Sequence, residues 1–319
     1  MPDMSTPLVV LCPGQGAQAV GMGKAWLDAS PEARKVFADA DRILGDQLGS
    51  RLSDLCFAGP AERLNRTDIS QPAIYTASIA CWRGLLATWS YGDGESKLHA
   101  TAGLSLGEYT ALTVAESLSF EDGLNLVALR GRAMQDAAET TPSGMLALIG
   151  ADEAQATEVC NLARGGDVLV AANFNAPGQV VLSGSTAAIE RAARAAGEKG
   201  LRSTVLPVAG AFHSPLMAPA AARLGEALST VTFKPPRCPV VSNVTAQPHE
   251  PGSGRTIEGA IRQRLVEQLT SPVRWADSCR WLLARVKGEA HELAPGVTLA
   301  GLMRRIDRGT KVTSHDTPD

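Results

Sequence analysis

Aromatic residues make up only 4% of this 319-residue chain, and it holds just five histidines and six cysteines. Long apolar runs are missing as well. The longest near the N-terminus, Pro7 to Cys12, falls far short of the roughly 20 residues a membrane-crossing helix needs. No basic segment followed by a long apolar stretch precedes it, so no signal peptide is expected. Cys12, Cys56, Cys81, Cys160, Cys238 and Cys279 are scattered with no CxxC pair. That reads as reduced, buried thiols of a cytoplasmic protein rather than a disulfide framework. The histidines show no ligand spacing, so no metal site is expected. A net charge of -3 gives no general attraction to nucleic acid or to a membrane surface. What the chain does have is 45% hydrophobic residues, enough for one large domain or two smaller ones.

Residues 7–12 (PLVVLC) end in a Pro-Gly turn and predict a buried strand. Amphipathic helices are expected over Pro31–Leu44 and Gln71–Trp89, a strand over Leu98–Gly103, and helices over Leu106–Ser117 and Phe120–Ala138. Strand, glycine turn and helix in alternation predict an α/β fold with a parallel sheet. Between Gly144 and Val208 the rhythm changes to strand, helix, two strands, helix and strand, which is the ferredoxin-like βαββαβ order. It predicts a small subdomain over 141–209, inserted into a large domain made of 1–140 and 210–319. A helix (Pro215–Ser229), a strand (Pro239–Asn243) and three more helices to Asp307 complete the reading. Gln247–Arg255 is read as a surface loop, and the polar tail from Gly309 as disordered.

Residues 103–107 read Gly-Leu-Ser-Leu-Gly, a GxSxG between a predicted strand and a predicted helix. The glycines permit a tight turn that exposes Ser105, and the following helix aims backbone N–H groups, including that of Leu106, at a developing oxyanion. A serine nucleophile needs a base. His99 lies at the far end of the same strand, while His249, His291 and His315 fall in loops or near the end of the chain. His213, in AGAFHSPL just after the last small-subdomain strand, is the strongest candidate.

At this point the chain resembles the malonyl-CoA:acyl carrier protein transacylase family, which includes the acyltransferase domains of fatty acid and polyketide synthases. The blocks that carry the resemblance stand in order from Pro13 to Asp307: PGQGAQ (13–18), GLSLGEYTAL (103–112), LRGRAMQ (129–135), NFNAPGQVVLSG (173–184), GAFHSPLM (210–217), VSN (241–243), QLTSPVRW (268–275) and PGVTLAGLMRRI (295–306). The resemblance implies an α/β-hydrolase-like large domain, an acylated Ser105 and His213 as its base. It implies that Gln15 and Leu106 form a backbone oxyanion hole and that Arg130 binds the malonyl carboxylate. Gln268 would orient the histidine through its backbone carbonyl, in place of a triad acid. Asn173, Asn175, Phe212 and Leu104 would line the acyl pocket. An arginine suits that carboxylate because its planar fork binds bidentately and keeps its charge. The resemblance further implies a monomer that uses malonyl-CoA and an acyl carrier protein and needs no cofactor, the phosphopantetheine arriving on the partner. For an acidic carrier, Arg191, Arg194, Lys199, Arg202 and Arg274 form a candidate docking patch.

Two positions depart from the family pattern: Leu104 stands where a histidine is usual before the nucleophile, and Ala294 where a glycine is usual. Two rival readings fit less well. An α/β serine hydrolase requires an acid and then a histidine after the serine, and nothing beyond residue 213 supplies a convincing pair. A non-catalytic scaffold has no need to keep Ser105, His213 and Arg130 together.

Overall fold

The computed structural model describes residues 7–89, 98–252 and 256–318. Strand β1 (Leu8–Cys12) leads into helices α1 (Lys24–Ala29), α2 (Pro31–Leu44), α3 (Leu52–Ala58), α4 (Ala61–Leu64) and α5 (Thr67–Thr88). Strand β2 (Leu98–Gly103) and helices α6 (Gly107–Val114) and α7 (Phe120–Thr140) follow. The next stretch is β3 (Ser143–Ile149), α8 (Glu153–Ala163), β4 (Leu169–Ala176), β5 (Gln179–Ser185), α9 (Thr186–Glu198) and β6 (Arg202–Val205). A 3-10 turn, Pro215–Met217, opens the last part, which holds α10 (Ala218–Thr230), β7 (Val240–Val241), α11 (Ile257–Gln268) and α12 (Trp275–Arg285). It closes with β8 (Glu289–Leu293), α13 (Thr298–Ile306) and β9 (Val312–His315).

β1 is apolar and buried at every position, as a strand covered on both faces must be. It lies at the centre of a parallel sheet of order β7-β2-β1-β8-β9. α5 packs on this layer and is buried nearly all round, which matches its apolar residues on every side. The second sheet, β4-β5-β3-β6, is antiparallel throughout and has the ferredoxin-like strand order. Side-chain alternation gives it two faces. Leu146 and Leu148 of β3 pack with Val159 and Ile189 of its own helices, while Met145 and Ala147 join the core of the large layer. The edge of β4 is stitched to the chain before α12, where Val273 N donates to Ala172 O at 2.8 Å and Phe174 N to Val273 O at 2.9 Å. Asp152 caps α8 through a capping box with Gln155, so that helix starts where its sequence signal stands.

Three expectations need correction. The tail from Gly309 is not disordered: β9 extends the parallel sheet, and His315 is buried. His291 lies on a strand too, β8, not in a loop. β8 escapes a hydrophobicity reading because its sequence is EAHEL; the Glu292 carboxylate points to the start of α13 and accepts from the N–H groups of Leu299 and Ala300 at 2.7 and 2.9 Å. The Gln247–Arg255 stretch is described as far as Gly252, and 253–255 lie outside the described residues. Within it His249 is buried rather than on the surface. None of the described helices is long and apolar enough to cross a membrane.

Candidate active site

The turn from β2 to α6 has no room for side chains at its two glycines. A Cβ on Gly103 would lie 1.9 Å from the backbone of Gly107, and one on Gly107 would lie 2.2 Å from Cys12 O. Ser105 between them has φ 52, a left-handed conformation that non-glycine residues rarely hold. Its backbone is fixed by Asn243, whose Oδ1 accepts from Ser105 N at 2.6 Å while its Nδ2 donates to Gly103 O at 2.7 Å. The strained turn lifts Oγ into a cleft of about 410 Å³ at the C-terminal ends of the parallel strands.

His213 comes to this serine from the loop after β6, also at positive φ (56). Its Nε2 is 2.8 Å from Ser105 Oγ, and its Nδ1 is 2.7 Å from the backbone O of Gln268 at the end of α11. A carbonyl only accepts, so Nδ1 carries the proton and Nε2 is left as the acceptor. Burial, and then the Arg130 cation, push the His213 pKa down to about 4, although the Gln268 carbonyl works in the other direction. The imidazole is therefore neutral across the physiological range, the form a base must have.

Arg130 of α7 is 1% exposed. Its Nη1 donates to Gln71 Oε1 at 2.6 Å; its Nη2 donates to Gln268 Oε1 at 2.9 Å and to Ser105 Oγ at 3.0 Å. Its Nε has no hydrogen-bond partner among the described residues, and no carboxylate there lies within ion-pair distance. Burial lowers the pKa of this guanidinium from its usual value. A buried cation held only by neutral amides and a part-buried hydroxyl has the charge and geometry to take an anion.

Gln15, Leu104, Leu106, Asn173, Asn175 and Phe212 all line the same cleft. Leu106 stands at the N-terminus of α6, and among the described residues neither its N–H nor that of Gln15 donates to a protein acceptor. The Gln15 side chain accepts from Thr67 Oγ1 at 2.7 Å, which ties the first glycine turn to α5. Phe212 is buried, and its carbonyl accepts from Ser183 Oγ at 2.6 Å. Asn175 Oδ1 is buried with no partner among the described residues. The Leu104 carbonyl lies 2.2 Å from where a Gly14 Cβ would stand, so the first glycine turn abuts the elbow.

The proposed basic patch is less free than its sequence suggests. Arg191 pairs with Asp167 at 2.6 Å, Lys199 with Glu158 at 2.5 Å, and Arg274 with Asp277 at 2.6 Å. Arg194 and Arg202 are exposed and make no ion pair among the described residues. Sequence reading missed Gln71, Asn243, Glu108 and His249. Glu108 and Asn243 lie inside the GLSLGEYTAL and VSN blocks. Nothing in sequence marks Gln71 or His249, since their contacts join residues far apart in the chain.

Comparison with known proteins finds relatives along nearly the whole chain. The family model described as "Acyl transferase domain" matches residues 9–306. The malonyl CoA-acyl carrier protein transacylase of Salmonella typhimurium is 40% identical over 304 residues, covering 94% of this chain and 93% of that protein. The crystal structure of the corresponding Xanthomonas oryzae transacylase superposes with a TM-score of 0.89 at 40% identity, covering 100% of this chain and 96% of the other. A solved complex of a type II polyketide synthase acyl-carrier protein with its malonyl-transacylase superposes at TM-score 0.89 with 35% identity, covering 98% and 97%. With the nucleophile elbow, the neutral histidine and the anion-receptive arginine in one cleft, and with likeness along nearly its whole length, this chain belongs to the acyl transferase family of malonyl CoA-acyl carrier protein transacylases.

Proposed function

We propose that this protein moves a malonyl group from malonyl-CoA to the phosphopantetheine thiol of an acyl carrier protein, through a malonyl ester on Ser105. The observation that carries the reading is Arg130: a buried guanidinium without an acidic partner among the described residues, 3.0 Å from the Ser105 hydroxyl. A malonyl carboxylate supplies the missing anion, and only an acyl group with a second, free carboxylate does so while presenting its thioester to Ser105. On binding, that carboxylate takes the place of Ser105 Oγ as the acceptor of Arg130 Nη2.

His213 Nε2 then removes the Ser105 proton as Oγ attacks the thioester carbonyl. The oxyanion forms beside the N–H groups of Gln15 and Leu106, which have no other acceptor among the described residues to give up. As the tetrahedral intermediate collapses, the C–S bond breaks and His213 returns its proton to the leaving coenzyme A sulfur. The second half runs the same steps in reverse: His213 deprotonates the carrier thiol, its sulfur attacks the malonyl ester, and Ser105 recovers its proton. Gln268 O holds the imidazole tautomer in both halves. The apolar surroundings, Met134, Met145, Val181 and Phe212, keep water from the ester between them. No cofactor of the chain's own enters these steps. A carrier protein supplies the second thiol, as the complex named above illustrates for its own pair, and a cytoplasmic location fits a chain whose cysteines are all free and buried.

The test is a mass measurement. Incubation with malonyl-CoA adds one malonyl group, mapped to Ser105, and releases coenzyme A; Ser105→Ala abolishes the adduct and the transfer of radiolabel to a carrier protein. A stable adduct elsewhere, or full transfer by the alanine variant, overturns the mechanism.

A further inference from the structure

The supports of the reacting groups converge on one carboxylate. Glu108, in the first turn of α6, is 0% exposed. One of its oxygens accepts from His249 Nε2 at 2.8 Å. The other accepts from Gln268 Nε2 at 2.6 Å and from the Asn243 backbone N–H at 3.1 Å. Gln268 carries the contact on to three parts of the site. Its backbone O meets His213 Nδ1, its Oε1 accepts from Arg130 Nη2, and its Nε2 also donates to Ser105 O at 3.0 Å. Asn243 carries it to the nucleophile, accepting from Ser105 N and bracing Gly103.

Building on the malonyl-transfer reading, we infer that Glu108, anchored by His249, is the positioning carboxylate of this active site, acting on His213, Arg130 and Ser105 through Gln268 and Asn243. A side-chain amide has a donor end and an acceptor end, and a carboxylate only accepts. Glu108 therefore draws the Gln268 NH₂ group to itself and leaves Oε1 facing Arg130. The opposite orientation would set NH₂ against the guanidinium. His249 secures the acid in turn, with Nε2 as the donor, and both side chains are wholly buried. In a Ser-His-Asp triad the acid touches the histidine. Here one glutamine stands between. An anion in direct contact with Arg130 would neutralise the charge meant for the substrate, whereas one held behind Gln268 fixes geometry and leaves the guanidinium available. The first turn of a helix is also where a buried negative charge is best tolerated.

The experiment is a double-mutant cycle between Glu108→Gln and Gln268→Leu, which keeps the backbone carbonyl but cuts the side-chain link, read with malonyl-CoA and with acetyl-CoA. Glu108→Gln should lower kcat about 30-fold while KM for malonyl-CoA stays within about threefold, as expected for misplaced groups rather than lost binding. The malonyl-over-acetyl preference should fall with it, because Arg130 loses its alignment. Gln268→Leu should reproduce much of the loss, and the double variant should be no worse than the poorer single. His249→Gln, which keeps the acid and a donor, should show the same pattern at about a tenth of the size. Should Glu108→Gln not accumulate as folded protein, the Gln268→Leu and His249→Gln pair reads the same chain of contacts. Folded variants with unchanged kcat and unchanged preference, or losses that multiply in the double variant, overturn the inference. A wild-type protein that never transfers malonyl instead overturns the functional reading on which it rests.

Discussion

The two walls of the cleft are held on different terms. On the large-domain wall the polar groups are bound from several sides: Arg130 by Gln71 and Gln268, Gln268 by Glu108, Ser105 by Asn243. The wall facing it, from the small subdomain and the loop after it, is mostly apolar: Met145, Val181, Leu206, Pro207, Val208 and Phe212. Of its polar residues, His213 is tied to the large domain through Gln268 O, while Asn175 Oδ1 is buried and unpartnered among the described residues. The difference separates two jobs. The fixed wall needs reacting atoms held within fractions of an ångström, which a satisfied buried network provides. The apolar wall sets the shape and dryness of the space beside them, which side-chain volume alone decides. A substitution on the first wall should therefore act through charge and alignment, and one on the second through the shape of the acyl space.

The largest test of that division is Arg130→Ala. It leaves the malonyl carboxylate desolvated and unpaired, at a cost of roughly 2–5 kcal/mol, or about 30-fold or more in kcat/KM for malonyl-CoA. Acetyl-CoA has no such carboxylate, and its kcat/KM should hold or rise. Equal losses on both substrates would make Arg130 part of the scaffold and erase the distinction.

A second test uses pH. His213 in the folded protein titrates near 4, below its ordinary 6.5. The base stays neutral until that range, so the acid limb of kcat/KM should fall near pH 4. Removing the Arg130 charge takes away one of the two depressing causes, so the limb in Arg130→Ala, followed with acetyl-CoA, should move upward. Stability has the matching sign. Between pH 6.5 and 4 the unfolded chain binds the proton and the native state does not. Stability is therefore present above that window and lost as pH falls through it, by about 3 kcal/mol in all. Urea unfolding of the wild type and of His213→Asn at pH 7 and pH 4.5 measures that share, since the variant lacks it.

How much of these walls could be read from the chain follows from the same contrast. Ser105 was legible because its chemistry requires a local strand-turn-helix string. His213, Arg130 and the Gln268 carbonyl were legible through blocks that resemble a family. Glu108 and His249 were not, because a buried acid in a first helical turn looks like an ordinary dipole partner until a residue 141 positions away meets it. The tail failed in the same way. KVTSHD has no apolar run, yet β9 pairs with β8, and His315 stacks on His291 at 5.1 Å with a ring-to-ring hydrogen bond of 2.8 Å. Periodicity registers apolar faces; it does not register polar groups that find one another across the fold.

Phe212→Ser tests the apolar wall directly. The ring lies in the cleft beside the histidine and packs into the large core. Removing it opens room at the acyl C2 carbon, so methylmalonyl-CoA should gain about tenfold or more relative to malonyl-CoA, the usual worth of one methyl group in an apolar pocket. Dependence on Arg130 should remain, because both substrates carry the carboxylate. The variant should also lose about 3 kcal/mol of stability from the cavity. Stability lost with no change of substrate would make Phe212 core alone.

The smallest effect is expected at the candidate carrier-docking patch of the small subdomain. Acyl carrier proteins are usually acidic and this chain is mildly acidic overall, so docking needs local positive charge. Of the five basic residues proposed, Arg191 is committed inward: besides Asp167, it donates to the backbone carbonyls of Ala163 and Arg164 at 2.7 Å each. Lys199 and Arg274 are likewise paired with acids of their own chain. Arg194 and Arg202 are exposed on α9 and β6 and have no such pairing among the described residues. Charge reversal at either should raise KM for the carrier protein about threefold at low salt, with the effect fading as ionic strength rises. KM for malonyl-CoA should not move, because the thioester reaches Ser105 through the cleft and not across that surface. Arg191→Glu should act differently, lowering the stability of the small subdomain through the broken α8–α9 contacts before it changes docking. Carrier kinetics at two salt concentrations, with thermal unfolding run beside them, separate the outcomes. Unchanged carrier KM in both Arg194→Glu and Arg202→Glu at low salt would remove the patch and place docking on another face.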